Sequence, residues 1–109
     1  MEEKYSALFQ PLSIGTVEVK NRFMMCPMEG TTIIGWLKGK GFCEEARDFY
    51  IERAQDGIGL MVPGCTPLRS LMGGGKWLWK NPKVFEPIKP FMDEFHSYGS
   101  KLFLQISAG

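Results

Sequence analysis

The chain has 109 residues, of which 44% are hydrophobic, 13% aromatic and 23% charged, a composition typical of one folded domain. Its net charge is only +1, which disfavours a nucleic acid or an anionic membrane as a partner. No run approaches the roughly 18 apolar residues of a membrane span. The acidic start Met1–Lys4 is unlike a secretory signal, so we expect a cytoplasmic protein.

The cysteines indicate neither disulfides nor a metal centre. Cys26, Cys43 and Cys65 are odd in number and lie 17 and 22 residues apart. These spacings fit neither a disulfide framework nor a CxxC metal pair. With a single histidine, His96, we predict no metal site.

The amino-terminal part is predicted to form a hairpin followed by a strand. Two short extended runs within Leu12–Lys20 are joined at Gly15-Thr16, which is typical of a two-residue turn. The apolar run Arg22–Cys26 then ends at Pro27, which predicts a strand buried on both faces, as in a parallel sheet. Glu29–Gly41 contains four glycines and is predicted to be a long loop.

The middle of the chain is predicted to contain a helix and a second strand. A helical spacing with charges between its members covers Phe42, Ala46, Phe49, Tyr50, Arg53 and Ala54. Gly57 follows as a carboxyl-terminal stop. Ile58–Val62 is a short apolar run that predicts a second buried strand, and Cys65–Pro82 has the composition of another loop.

The last part repeats this order of elements. A helix is predicted to begin near Pro87, with one apolar face made by Ile88, Phe91, Met92, Phe95 and Tyr98. Gly99 ends it, and Lys101–Ile106 is a third apolar run. Strands alternating with helices predict a parallel sheet of βαβ units that binds ligands at the carboxyl ends of its strands. Three parallel strands leave two unpaired edges, so we expect a homo-oligomer or another association through those edges.

Short motifs occur in the predicted hairpin and at each of the three predicted strands. They are Leu8-Phe9-Gln10-Pro11, Ile14-Gly15, Val19–Arg22, Met25–Met28, Gly59–Val62 with Cys65-Thr66, and Gly99–Gln105. Together they resemble the old yellow enzyme family of FMN-dependent NAD(P)H oxidoreductases. The segment Gln105–Gly109 is similar to the branch with 2-enoate, 2,4-dienoyl-CoA and bile-acid-type reductases.

The resemblance implies a fold and an activity. The fold is the TIM (β/α)8 barrel, which takes about 250 residues. Residues 1–109 would then be the amino-terminal portion of a single FMN-binding domain, with a bottom hairpin, about three parallel strands and two helices. The implied activity is hydride transfer from NAD(P)H through FMN to the activated C=C bond of a small enone or enoyl substrate. An iron–sulfur cluster and FAD are expected only in a longer parent chain.

The resemblance also implies cofactor-binding residues. It places Cys26, Pro27 and Met28 against the isoalloxazine at the end of the first strand. Glu29 takes the position where relatives have Thr, Cys or His, and its carboxylate would oppose negative charge on the reduced ring. Cys65 stands where a small residue contacts the ring.

Gln105 matches the family glutamine whose amide hydrogen-bonds along the pyrimidine edge of the ring. The catalytic residues are expected beyond Gly109. They are a His pair or His-Asn pair that anchors the substrate and a proton-donating Tyr, together with the phosphate-binding loops.

Simpler interpretations stand beside these roles. A cysteine in an apolar run, such as Cys26, is typically an inert small hydrophobe. The methionine cluster of Met24, Met25 and Met28 favours core packing over a ligand set. His96 lies on a predicted helix, away from any strand end.

The glycine-rich stretch Gly73–Lys76 does not match a phosphate loop, because Ser70 and Trp77 break that pattern. An alternative function is a non-catalytic partial barrel that associates with itself or with a complementary chain. In either case we expect the isolated chain neither to hold FMN tightly nor to turn over.

Overall fold

The computed structural model describes residues 3–28, 37–38, 41–42, 44–64, 66–67, 86 and 88–107. After a 3₁₀ helix at Glu3–Phe9, the elements in chain order are β1 (Leu12–Ile14), β2 (Val17–Val19), β3 (Met24–Met25), β4 (Leu37–Lys38), β5 (Gly41–Phe42), α1 (Glu44–Gln55), β6 (Leu60–Met61), β7 (Thr66–Pro67), α2 (Ile88–Ser97), β8 (Lys101–Leu102) and β9 (Ile106–Ser107).

Three parallel strands form the centre of the fold, in the order β3-β6-β8. Met24 lies opposite Leu60, which lies opposite Lys101, and the next residue of each strand continues the ladder. Helix α1 connects β3 to β6, and α2 connects β6 to β8. The predicted βαβ repeat is therefore confirmed.

The predicted hairpin is also confirmed. Strands β1 and β2 pair antiparallel, with Leu12 opposite Val19 and Ile14 opposite Val17. A second antiparallel hairpin, β4 with β5, lies in the stretch predicted to be only loop. Because Phe42 belongs to β5, helix α1 begins at Glu44 instead of Phe42.

The hydrophobic core lies between one face of the sheet and the two helices. Its buried members are Ala46, Tyr50, Ile51, Ala54, Met61, Ile88, Phe91 and Phe95. Met25 and Leu102, which flank Met61 in the ladder, pack against this cluster. Each large side chain buried in this way contributes about 1.5–3 kcal/mol to folding.

Glycines end both helices, as predicted. Gly57 has a φ of 103° and Gly99 a φ of 81°, a backbone conformation that residues with a Cβ adopt only with strain. Both glycines stand just before a core strand. The chain therefore stops each helix and enters the sheet within a few residues.

Strand β3 is not buried on both faces, contrary to the prediction. Met25 packs on the helices, but the neighbouring Met24 points to the other face and its side chain is 47% exposed. The same correction applies to the methionine cluster, because Met28 is also exposed. No described element covers this side of β3 at Met24, which explains the exposure.

Candidate site at the carboxyl ends of the strands

The described residues that the resemblance assigns to the cofactor lie along one edge of the sheet. Cys26, Pro27 and Met28 directly follow β3, and Gln105 follows β8. All four are exposed. Since β6 lies between β3 and β8, two strand spacings of about 4.8 Å separate the two groups, roughly 10 Å in total. A planar three-ring ligand can bridge that span.

The pairing of the strands is interrupted at this edge. Val62 N–H donates to Met25 O and Phe103 N–H to Met61 O, both at 3.0 Å. Pairing resumes where β7 meets β9, with Thr66 opposite Ile106. Four residues separate the paired segments after β6, but only three after β8. The chain thus has one more residue between β6 and β7 than between β8 and β9.

The interruption divides the third predicted strand. Lys101–Ile106 was predicted as one apolar strand, whereas the structure has β8 and β9 with residues 103–105 between them. Phe103 N–H makes the last ladder bond before the gap, to Met61 O. Gln105 lies in this gap.

Two site residues lie outside the described residues, Glu29 and Cys65. Cys26, interpreted above as an inert small hydrophobe in an apolar run, is not packed in the core but is an exposed free thiol. The apolar run that contains it ends in solvent at the carboxyl edge of the sheet. His96 lies on α2, as predicted, and is exposed there.

The opposite ends of the strands hold a cluster of side-chain hydrogen bonds that the sequence did not predict. Lys20 Nζ donates to Tyr98 O at 2.6 Å, and Asn21 Nδ2 donates to Gly57 O at 2.7 Å. The neighbouring Arg22 donates to Gln10 O and Pro11 O, each at 3.2 Å. The only sign of this cluster in the sequence is that three consecutive polar residues stand between the predicted hairpin and the apolar run of β3. These residues were used above only as part of the family resemblance.

A cavity of about 620 Å³ also lies at these amino ends. Its lining residues are Phe9, Lys20, Asn21, Phe23, Arg53, Asp56, Gly57 and Ile58. Phe23 precedes β3 and Ile58 precedes β6, so this cavity is at the opposite end of the strands from Cys26 and Gln105. It is therefore distinct from the edge where the resemblance places a flavin.

The chemistry of the carboxyl edge fits FMN. Strand residues beyond the last ladder bond offer N–H and C=O groups to a planar ligand. The Gln105 amide can both donate and accept, as the alternating polar edge of a flavin pyrimidine requires. Among the described residues, no group of three or more His, Cys, Asp or Glu could hold a metal ion. In the same part of the chain, no helix is long and apolar enough to cross a membrane.

The fold and the site together define the class of protein. It is a segment of a parallel (β/α) barrel whose ligand-binding edge lies at the carboxyl ends of its strands. Residues 7–109 match the model of the NADH:flavin oxidoreductase / NADH oxidase family. The chain belongs to this family, and the predicted resemblance to old yellow enzymes is confirmed.

Two curated relatives match most or all of the chain. It is 34% identical, over its full length, to cinnamate reductase from Clostridium sporogenes and covers 17% of that protein. It is 28% identical, over 93% of its length, to a metal reductase from Desulforamulus reducens and covers 15% of it. The chain thus spans about a sixth of the length of these relatives.

The fold comparison gives the same class. The old yellow enzyme from Trypanosoma cruzi matches with a TM-score of 0.70 at 18% identity, over 96% of this chain and 28% of that one. Old yellow enzymes are TIM barrels, so the predicted fold class is confirmed. The described sheet and helices are part of a (β/α)8 barrel.

Proposed function

We propose that residues 1–109 are the amino-terminal portion of a single FMN-binding barrel domain that reduces activated C=C bonds of enone or enoyl compounds. The observation that carries this proposal is the meeting of Cys26–Met28 and Gln105 at one exposed edge, in a chain of this family. FMN held at this edge would supply the hydride-transfer chemistry between NAD(P)H and a polarised C=C bond.

The residues of this chain bind and orient the ring. The Gln105 amide would hydrogen-bond the pyrimidine edge, and the backbone of Cys26–Met28 would contact the ring from the other outer strand. Glu29 and Cys65, which lie outside the described residues, are assigned to the ring by the family resemblance alone. The catalytic histidines and tyrosine are assigned to the barrel beyond Gly109.

The relatives suggest acceptors to assay. Cinnamate reductase is named for an α,β-unsaturated carboxylate, and the chain matches it over its whole length. We therefore expect cinnamate, or an enone such as 2-cyclohexenone, to be reduced with NADH or NADPH by the complete barrel that carries this segment. Both curated relatives are about six times longer than the chain, which leaves room in them for more than one barrel of about 250 residues.

A Gln105→Leu variant of the complete barrel tests the site. It keeps most of the side-chain volume but loses the amide, so we expect the Kd for FMN to rise about tenfold or more. His96→Leu is the matched control, because His96 is exposed in the last turn of α2, which leads into the amino end of β8. Fluorescence titration with FMN measures both variants. Equal Kd values for Gln105→Leu and wild type would contradict the assignment.

The alternative function is a non-catalytic partial barrel. The observation in its favour is the set of exposed large hydrophobic residues, which are Tyr5, Leu8, Phe9, Leu12, Ile14, Phe23, Met24, Met28 and Leu104. A chain with this surface would associate through it. A stable complex without flavin, seen by light scattering in a protein that lacks enone reduction, would favour this alternative.

We expect the isolated 109-residue chain to bind FMN weakly and to show no turnover. The described sheet supplies one edge of the ring site, whereas the phosphate-binding loops of this fold follow the seventh and eighth strands. Ultrafiltration followed by flavin absorbance measures retention. Near-stoichiometric flavin on the isolated chain, or NADH-dependent enone reduction by it, would contradict this expectation.

A further inference from the structure

Three side chains at the amino ends of the strands hold the turns that lead into the sheet. Lys20 donates to Tyr98 O, Asn21 to Gly57 O, and Ser100 Oγ donates to Ile58 O at 2.7 Å. The donors and acceptors are 78, 36 and 42 residues apart in the chain. These bonds therefore join the end of the hairpin to both helix–strand turns.

Asn21 makes two of the contacts at once. Its Nδ2 binds the Gly57 carbonyl, while its Oδ1 accepts the Phe23 N–H at 3.1 Å. The residue is only 9% exposed. Only an amide side chain of this length donates to one backbone group and accepts from another in this way, since a carboxylate lacks the donor. Asn21 thus ties the turn before β6 to the residue that enters β3.

Gly59 shows how closely Asn21 is seated. A Cβ on Gly59 would lie inside contact distance of Asn21 Oδ1 and 2.9 Å from Asn21 O. The φ of Gly59 is not in the left-handed region, so the requirement for glycine is one of space. The turn before β6 can approach Asn21 only because this side chain is missing.

Lys20 holds the turn before β8, as Asn21 holds the turn before β6. Its half-buried side chain crosses the end of α2, where a Cβ on Gly99 would lie 3.3 Å from Lys20 Cδ. A cation at the carboxyl-terminal carbonyls of a helix is favourable both as a hydrogen-bond donor and against the helix dipole. Lys20 therefore fixes the turn before β8 to the same end of β2.

The parallel ladder is short. Each pair of strands is matched over two residues, Met24 and Met25 against Leu60 and Met61 in the first pair. Burial of Met61 excludes a slip by one residue, which would turn it to the other face, but a slip by two residues keeps the same faces. The bonds from Lys20 and Asn21 act at the point where the strands begin and oppose such a slip.

We infer that Lys20 and Asn21 are positioning residues, which set the level of β6 and β8 relative to β3 and so align the strand ends at the carboxyl edge. The consequence for cofactor binding rests on the proposed function. The alignment itself does not, because it concerns only the backbone. Cys26–Met28 and Gln105 then lie opposite each other because the other ends of their strands are held.

Hydrogen exchange of single backbone amides, followed by NMR, tests this inference in the chain without flavin. Val62 N–H reports on β3 with β6 at the carboxyl edge, and Phe103 N–H reports on β6 with β8. For Asn21→Ala we expect Val62 to exchange about tenfold faster relative to the Phe95 amide in α2. For Lys20→Met, which keeps the apolar stem, we expect the larger increase at Phe103.

Two further variants keep the test decisive. Asn21→Asp retains the shape and the acceptor for Phe23 N–H but loses the donor to Gly57, and we expect the same acceleration at Val62. Lys20→Arg keeps a cationic donor, so it is expected to restore Phe103 protection to within about threefold of wild type. If Asn21→Ala does not fold, these two variants and Lys20→Met carry the test.

Two outcomes would overturn the inference. Equal acceleration at Val62, Phe103 and Phe95 would mean that the side chains contribute only to global stability. Acceleration confined to Phe23 and Leu60, with Val62 still protected, would mean that the bonds act only locally. Loss of Val62 protection in the variants, together with a complete barrel that binds no FMN, would support the inference and count against the proposed function alone.

Discussion

The two ends of the same three strands are built differently. At the amino ends, Asn21 and Ser100 are buried and their side chains are hydrogen-bonded to backbone groups of the neighbouring turns and of Phe23. At the carboxyl ends, Cys26, Met28 and Gln105 are exposed and the strand pairing is interrupted before β7 and β9. In barrels of this kind the amino face contributes stability and the carboxyl face carries the chemistry. Substitutions at the two ends should therefore change different measurements.

The largest expected effect at the amino ends is that of Gly59→Ala. The new Cβ would overlap Asn21, whose Oδ1 is held by its hydrogen bond from Phe23 and whose backbone O is 2.9 Å away. We expect a loss of about 2–3 kcal/mol in the free energy of unfolding, as for other overpacked sites. Urea unfolding followed by circular dichroism measures it.

A double variant identifies the cause of that loss. In Gly59→Ala with Asn21→Ala, the side-chain part of the overlap is gone, so the two losses should sum to more than the loss in the double variant. Strict additivity of the two losses would show that the space at Gly59 is not limited by the Asn21 side chain.

A smaller loss is expected for Ser100→Ala. Ser100 is fully buried and its hydroxyl donates to Ile58 O, so removing the hydroxyl leaves the Ile58 carbonyl without this hydrogen bond. We expect a loss of about 1–2 kcal/mol. Ser97→Ala is the matched control, because Ser97 is exposed on α2 and bonds only within its own helix, to Glu94 O. Thermal unfolding of the two variants should differ clearly, and equal midpoints would contradict the contrast between a buried and an exposed hydroxyl.

The smallest stability effect is expected at the carboxyl ends. Cys26 is exposed, and we expect Cys26→Ser to change the free energy of unfolding by less than about 0.5 kcal/mol. The same urea titration checks it. A loss above about 1 kcal/mol would mean that this edge also supports the fold, and the comparison between the two ends would fail.

Local sequence patterns predicted most of the fold but not the contacts that align it. Gly57 and Gly99 were recognised as helix stops because a positive φ is a local property of the chain. The short apolar runs predicted strands for the same reason. The bond from Lys20 to Tyr98 spans 78 residues, so no local period contains it. The exposure of Met24 was also missed, because an apolar run does not specify which of its faces another element covers.

The candidate site was found by resemblance and not by pattern. Nothing in the composition around Gln105 or Cys26 marks a ligand, and Cys26 alone favoured a buried thiol. Their proximity depends on the strand order β3-β6-β8, which brings together residues 79 positions apart in the sequence. The interruption of the pairing after β6 could not be predicted either, since it is defined by pairing between two strands and not by either one.

Labelling of Cys26 tests most directly whether the carboxyl edge is the flavin site. The complete barrel that carries this segment would be treated with iodoacetamide, with and without FMN, and each cysteine followed by mass spectrometry. Cys26 is an exposed thiol at the proposed edge, so saturating FMN should slow its alkylation by about tenfold or more. An unchanged rate at Cys26, in a barrel shown by absorbance to hold FMN, would contradict the assignment.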